Sequence, residues 1–336
     1  MDNYKLIIFG ADWDVYLTAY KELIDNPHIT YISTFRPRGL WGQVQRIQFN
    51  PKLNHIINIP GKSCWNKYYL RNIKGEKLCF LIMEKWLRHE SGMRLLPFLR
   101  KHYPQAKVVC FTQDLIKTII DKYTGKEIDT NYIKRYTDLF ISYDEADAKK
   151  YQLACHSTVF SSLKDVIIQR ENHYDLFFLG RDKGRLPLLF KICKEANRRG
   201  LRCKFVMIEV PQEQRITCEG IEYADSEITY ADNLNMCAQS RCLVELTQQS
   251  ASSSTFRTWE TIMLNKKLLT NNLQIKKTNI YDRRYISVFQ DNDDIDWDFI
   301  EKDNDFSKNN PFQEQIRPKA LVRFIEEKLQ INILQA

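Results

Sequence analysis

The strongest constraint on how this chain folds is a repeated alternation: a short apolar run, a turn, then a stretch with apolar residues at helical spacing. KLIIFG at 5–10 is followed by YLTAYKELIDN at 16–26, KLCFLIM at 77–83 by GMRLLPFLRKHY at 92–103, and AKVVCFT at 106–112 by DLIKTIIDKY at 114–123. TYIST at 30–34 and DLFISY at 138–143 add two further apolar runs. Short runs without polar alternation suit strands covered on both faces, which requires parallel pairing and helices on either side of a doubly wound sheet.

The alternation restarts after a charged connector, LKDVIIQRENH at 163–173. YDLFFLG, LRCKFVMIE, CLVELT and KKLLTN read as strands, and GRLPLLFKICKEANRRG, ADNLNMCAQS, RTWETIMLN and RPKALVRFIEEKL as helices. At 336 residues the chain is long enough for two domains of common size. The expected division is 1–165 and 166–336, two facing Rossmann-like α/β domains, with the last helix in the second.

Composition removes several classes. With 43% hydrophobic residues, 11 Gly and 10 Pro, the chain is neither collagen-like nor low in complexity. Charges interrupt every apolar run before it reaches spanning length, and MDNYKLIIFGADWD lacks the order of a leader peptide, so a cytoplasmic protein is expected. Nine cysteines with no C-x-x-C pair, and six histidines scattered through the first half, support neither a disulfide framework nor a metal centre. Cys79 and Cys110 lie in strand-like runs and read as small buried hydrophobes.

The net charge of +8 is uneven. Residues 1–165 hold 25 Lys+Arg against 17 Asp+Glu, whereas 166–336 hold 25 against 25. The excess concentrates in 36–107, where 15 basic residues face three acids, Glu76, Glu84 and Glu90, among Trp41, Trp65, Tyr68, Tyr69, Trp86 and Tyr103. Such a segment attracts an anionic membrane surface, at roughly 1 kcal/mol per basic residue near the lipid. No recognition-helix, zinc-finger or ribonucleoprotein signature accompanies the charge, so nucleic acid is not the expected partner.

In open α/β sheets ligands bind beyond the carboxyl ends of strands. Four loops there carry chemistry: GADWD (10–14), TQD (112–114), GRDKGR (180–185) and QQSASSSTFRTWE (248–260). Neither G-x-G-x-x-G nor a Walker A sequence occurs. GRDKGR sets Arg181, Lys183 and Arg185 within five residues, around the turn-forming Gly180 and Gly184, suiting a diphosphate. Ser252, Ser253, Ser254 and Thr255 precede a helix, where hydroxyls and free N–H groups can hold a phosphate or simply cap the helix. Glu260, a turn later, is placed to accept from ribose hydroxyls.

Taken together, FLGRDKGR and SSSTFRTWETIMLNKKLLTNN resemble the donor domain of GT-B glycosyltransferases. The first half, in RIQFNPKLN, NIPGKSCW and DLFISYDEADAKKY, resembles bacterial capsular and lipopolysaccharide glycosyltransferases of the same shape. The resemblance implies two facing Rossmann-like domains and sugar transfer from a nucleotide sugar to a glycan or lipid-linked glycan, in surface polysaccharide synthesis. It implies that Gly180, Arg181 and Lys183 hold the diphosphate, Ser254 and Thr255 add phosphate contacts, and Glu260 holds the ribose. Three departures stand out. Ser252 occupies the position of an acid in retaining relatives, Gln113 and Asp114 stand where many relatives have a histidine, and Arg181 and Lys183 are unusually close.

The sequence reading is therefore a metal-independent, hexosyltransferase-type enzyme with no cofactor beyond its nucleotide-sugar substrate. It would be cytoplasmic and peripheral on the inner face of the cell membrane. Asp12, Asp14 and Asp114 are the candidates for the base that takes the acceptor proton. A non-hydrolysing sugar-nucleotide epimerase and a non-catalytic sugar-nucleotide or membrane-binding module are the alternatives.

Overall fold

The computed structural model describes residues 2–33, 39–50, 53, 59–75, 77–123, 128–163, 172–226, 228–247, 254–302 and 310–333, the side chains of 121–123 excepted. Its strands are β1 (Asn3–Phe9), β2 (Thr30–Ile32), β3 (Leu78–Met83), β4 (Lys107–Thr112), β5 (Leu139–Ser142), β6 (Ala154–Cys155), β7 (Tyr174–Arg181), β8 (Cys203–Ile208), β9 (Ile221–Ala224), β10 (Ser240–Glu245), β11 (Lys267–Thr270), β12 (Ile286–Val288) and β13 (Asn332–Ile333). They form two sheets, and every pairing is parallel.

The first sheet runs β13-β1-β3-β4-β5-β6, with β2 also on β1. β13 takes the amino end of β1 at Asn3 and Tyr4, and β2 takes its carboxyl end from Ile7 to Phe9. All six residues of β3, LCFLIM, are buried. Each apolar side chain so placed contributes roughly 1.5–3 kcal/mol. Cys79 and Cys110 are buried as the apolar runs predicted. The second sheet runs β12-β11-β10-β7-β8-β9. The helix Leu186–Arg198 covers one face of it, burying Leu186, Leu189, Ile192, Cys193 and Ala196.

The chain divides into one unit of 1–159 with 318–336 and another of 160–317. This corrects two expectations. The boundary lies at 159/160 and not at 165/166, and the last helix, Pro318–Leu329, belongs with the first unit. The reason is packing: β13 adds to β1, and the Phe324 ring lies 5.1 Å from that of His156. Helical periodicity names a buried face but not what buries it.

Two predicted helices are interrupted. YLTAYKELIDN breaks at Tyr20 into Asp14–Ala19 and Lys21–Ile24. GMRLLPFLRKHY begins its regular helix only at Leu95, because Arg94 takes a left-handed φ of 53°. Glu90 secures that break. Its carboxylate, 1% exposed, accepts from the backbone N–H groups of Leu95 (2.9 Å) and Leu96 (3.1 Å) and from the Tyr132 hydroxyl (2.9 Å). Among the described residues no helix is long and apolar enough to cross a membrane.

Burial raises the Glu90 carboxyl from 4.5 to about 7 despite those three donors. The ionised form is therefore disfavoured in the folded state, and the stability Glu90 contributes falls as pH rises from about 4.5 through about 7. Glu90→Ala should cost about 3 kcal/mol at pH 5, because it orphans buried donors, and less at pH 8. Urea unfolding of both proteins at the two pH values checks this.

Candidate functional site

Each sheet has one place where successive connections leave in opposite directions. In the first sheet it lies between β1 and β3, and in the second between β7 and β10. Crevices open beyond the carboxyl ends of strands at such reversals, so ligands collect there.

In the second unit, β7 runs into the GRDKGR loop. Lys183 and Gly184 take left-handed φ values of 45° and 80°, which turn the backbone back toward the helix Leu186–Arg198. Arg181 pairs with Glu209 at 3.1 Å, and both side chains are about half exposed. Lys183 is exposed. Arg185 is the more telling cation: its Nε is buried without a hydrogen-bond partner, and burial lowers its pKa against the favourable fields of Asp182 and Glu245. Glu245 ends β10, so Arg185 feels both sides of the reversal. A Cβ added to Gly180 would sit 3.6 Å from the Arg185 guanidinium.

Glu245 also explains the start of the helix Phe256–Leu264. It is 3% exposed and accepts from the Thr255, Thr258 and Thr270 hydroxyls at 2.6, 2.9 and 2.6 Å, and from the Thr255 N–H at 3.2 Å. Thr255 Oγ1 in turn caps Arg257 N at 3.2 Å. At Thr255, where a phosphate contact is expected, the hydroxyl and N–H bond an internal carboxylate. Ser254, half-buried, directly precedes this cap. Ser252 and Ser253 lie outside the described residues.

Glu260, expected to hold the ribose, is enclosed. The helix turns it inward, leaving it 3% exposed, and Arg257 pairs with it at 2.7 Å. The Tyr230 hydroxyl and Asn233 Nδ2 complete its shell at 2.8 and 3.1 Å. Arg257 also bonds Asn233 Oδ1 at 3.2 Å and reaches the Leu179 carbonyl at 3.5 Å. Glu260 thereby anchors Arg257 against the end of β7. Residue type and loop position do not reveal which face of a helix is covered.

In the first unit the β1–β3 reversal gathers a second cluster. Gly10 is required there, since an added Cβ would overlap the Tyr31 ring at 2.0 Å, and Tyr31 hydrogen-bonds the Ala11 carbonyl at 2.7 Å. Asp12 pairs with Lys85, whose Nζ lies 4.7 Å from the centre of the Trp13 ring. Asp114 pairs with Arg88 at 3.1 Å, and that guanidinium lies 5.5 Å from the same ring. Two of the three expected catalytic acids are therefore brought together around Trp13, which is 42% exposed. Asp14 instead opens the helix Asp14–Ala19 as an exposed residue.

Beneath them lies Glu84, which sequence reasoning counted only as a charge. It is fully buried, accepts from Tyr16 OH at 2.5 Å and Gln113 N at 3.3 Å, and burial raises its pKa. Gln113, 8% exposed, accepts from Tyr20 OH at 2.6 Å. Glu84 thus ties the loops after β1 and β4 to the end of β3. Its position directly after an all-apolar strand was the available signal.

Known structures share this architecture. An α-glucosyltransferase solved with UDP and a 13-mer DNA containing an HMU base aligns with a TM-score of 0.63 at 11% identity, covering 98% of this chain and 100% of that one. The UDP-forming α,α-trehalose-phosphate synthase of Burkholderia xenovorans, solved with glucose-6-phosphate, gives 0.56 at 7% identity, covering 98% and 100%. HepE from Anabaena, solved with UDP-glucose, gives 0.55 at 10% identity, covering 97% and 99%. The chain has the GT-B fold. At these identities the likeness carries the fold alone. No family model matches the chain, and no curated protein matches it. In GT-B terms, the GRDKGR loop lies in the second Rossmann-like unit and the Trp13 cluster in the first.

The buried Arg257–Glu260 pair has a measurable consequence. Arg257→Ala should lower stability by about 3–5 kcal/mol, since it strands a buried carboxylate. Urea denaturation checks this, and a loss below about 1 kcal/mol would return Glu260 to the open ribose role.

Proposed function

We propose that this protein is a glycosyltransferase that moves a sugar from a nucleotide-sugar donor, held in the second unit, to a glycan or lipid-linked acceptor engaged by the first. The single observation that carries the reading is Arg185: a buried, unpartnered guanidinium nitrogen at the β7–β10 reversal, beside a glycine-turned loop with Arg181 and Lys183. A half-buried guanidinium with donor capacity left over suits a diphosphate, which accepts bidentate guanidinium contacts. The solved structures of this fold with UDP and UDP-glucose support the nucleotide sugar as substrate class.

Sugar transfer builds negative charge on the departing diphosphate. Arg181, Lys183 and Arg185 stabilise that charge from fixed positions, with Gly180 keeping the approach open and Ser254 adding a hydroxyl. Arg257, held by Glu260, fixes the wall behind them. On the acceptor side Asp12 and Asp114 are the carboxylates we assign to the reactive hydroxyl, with Asp14 as an exposed neighbour. Lys85 and Arg88 hold Asp12 and Asp114 about the Trp13 ring, an exposed aromatic face on which a sugar ring can stack. Glu84 positions this shell from below and does not meet the substrate. The cations of the loop supply the neutralisation a divalent ion would otherwise provide, so turnover is expected to persist in EDTA.

Arg185→Ala and Arg181→Ala should each weaken UDP binding roughly ten- to a hundred-fold, by loss of a charged hydrogen bond. Calorimetric titration measures this, and wild-type affinity in both variants would overturn the donor-site assignment. Asp12→Asn with Asp114→Asn should lower kcat at least about a hundred-fold while leaving UDP affinity unchanged. Equal loss of UDP binding would show that these acids belong to the donor side.

A further inference from the structure

The helix Leu40–Gln48 rests on the core of the first unit through the half-buried Val44, yet leaves most of its apolar surface outside. Gly42 and Gln45 are its buried residues, and Gln45 donates to the Tyr69 hydroxyl at 2.6 Å. Gln48 is engaged as well, accepting from the Trp65 indole at 2.6 Å and donating to the Pro60 carbonyl at 3.0 Å. Three apolar side chains face outward: Leu40 is 74% exposed, Trp41 65% and Ile47 56%. Leu40 and Ile47, seven apart, share one face, and Trp41 flanks it. Single exposed hydrophobes are ordinary, but three on one nine-residue helix, beside the exposed Gln43 and Arg46, form an exposed apolar patch, in which Trp41 meets the Trp65 ring edge-on at 6.4 Å.

Its electrostatic setting selects the occupant. Residues 26–75 contain no Asp or Glu, while Arg36, Arg38, Arg46, Lys52, Lys62, Lys67, Arg71 and Lys74 all fall within them. Two of the next acids, Glu84 and Glu90, are buried and add no negative surface. Arg46 on the helix and Lys67 on the neighbouring helix Cys64–Leu70 are exposed.

We propose that the Leu40–Gln48 helix docks the protein on an anionic lipid surface, with Leu40, Trp41 and Ile47 entering the headgroup boundary and the surrounding cations meeting lipid phosphates. Aromatic and aliphatic side chains beside basic ones are the composition of an interfacial helix. Nucleic acid would leave Leu40 and Ile47 without a complementary partner, and a second copy would bring two acid-free segments face to face. The inference goes beyond the donor-site reading and does not depend on it.

The test uses the full chain, without nucleotide sugar, in co-sedimentation with phosphatidylcholine vesicles and with vesicles containing phosphatidylglycerol. Binding should be at least about tenfold stronger on the anionic vesicles and should weaken between 0.1 M and 1 M salt as screening shortens. The combined variant Leu40→Ser, Trp41→Ser, Ile47→Ser should lose about tenfold or more of that binding with an unchanged urea midpoint, because these side chains are exposed in the fold. Arg46→Glu should reduce the preference for anionic lipid. Equal binding to both vesicles, or wild-type binding by the triple variant, would overturn the proposal. So would a concentration-dependent dimer that the triple variant abolishes, or duplex DNA binding that outcompetes the vesicles. None of these outcomes bears on UDP affinity, so failure here is distinguishable from failure of the donor site.

Discussion

A parallel strand pair cannot be closed by a hairpin; the chain must cross over, usually through a helix, and re-enter the sheet at the same end. Both sheets here are parallel throughout, so every strand delivers its following loop to one edge. Where crossovers leave in opposite directions the loops part and a crevice remains. The Trp13 cluster and the Arg185 loop occupy those two positions, β1–β3 and β7–β10. The location of both sites is thus a consequence of hydrogen-bond geometry before any side chain is chosen.

Buried carboxylates hold the edges of these crevices in place. Glu84, Glu90, Glu245 and Glu260 are each at most 3% exposed, and each accepts from at least two groups. Burying a carboxylate is expensive unless its lone pairs are satisfied, so each becomes a fixed point for the loops and helix ends that supply the donors. Glu245 fixes Thr255 and Thr258, Glu84 joins Tyr16 to Gln113, and Glu260 restrains Arg257. The exposed cations of Arg181 and Lys183 sit on a frame made rigid in this way.

Much of this was legible in residue order. Strands such as KLCFLIM and KVVCFT declare themselves because two-sided burial removes polar alternation, and the GRDKGR loop declares itself because two glycines sit among three cations within six residues. Asp12 and Asp114 were placed correctly at strand ends, yet their common focus on Trp13 was not visible, since it depends on Lys85 and Arg88 from a third segment. The burial of Glu84 and Glu260 was not legible, for one reason. A formal charge in a sequence carries no sign of whether water or a protein donor satisfies it.

What the sequence by itself determined is the two-unit parallel α/β fold and the loops that carry its chemistry, because periodicity, glycine placement and charge density are local properties. Tertiary structure alone decided which of those charges face a ligand. It placed the Glu245 carboxylate at the start of Phe256–Leu264, returned Pro318–Leu329 to the first unit, and turned Leu40, Trp41 and Ile47 outward. Each of these depends on packing between segments distant in the chain, and burial is settled only when the partner surface arrives.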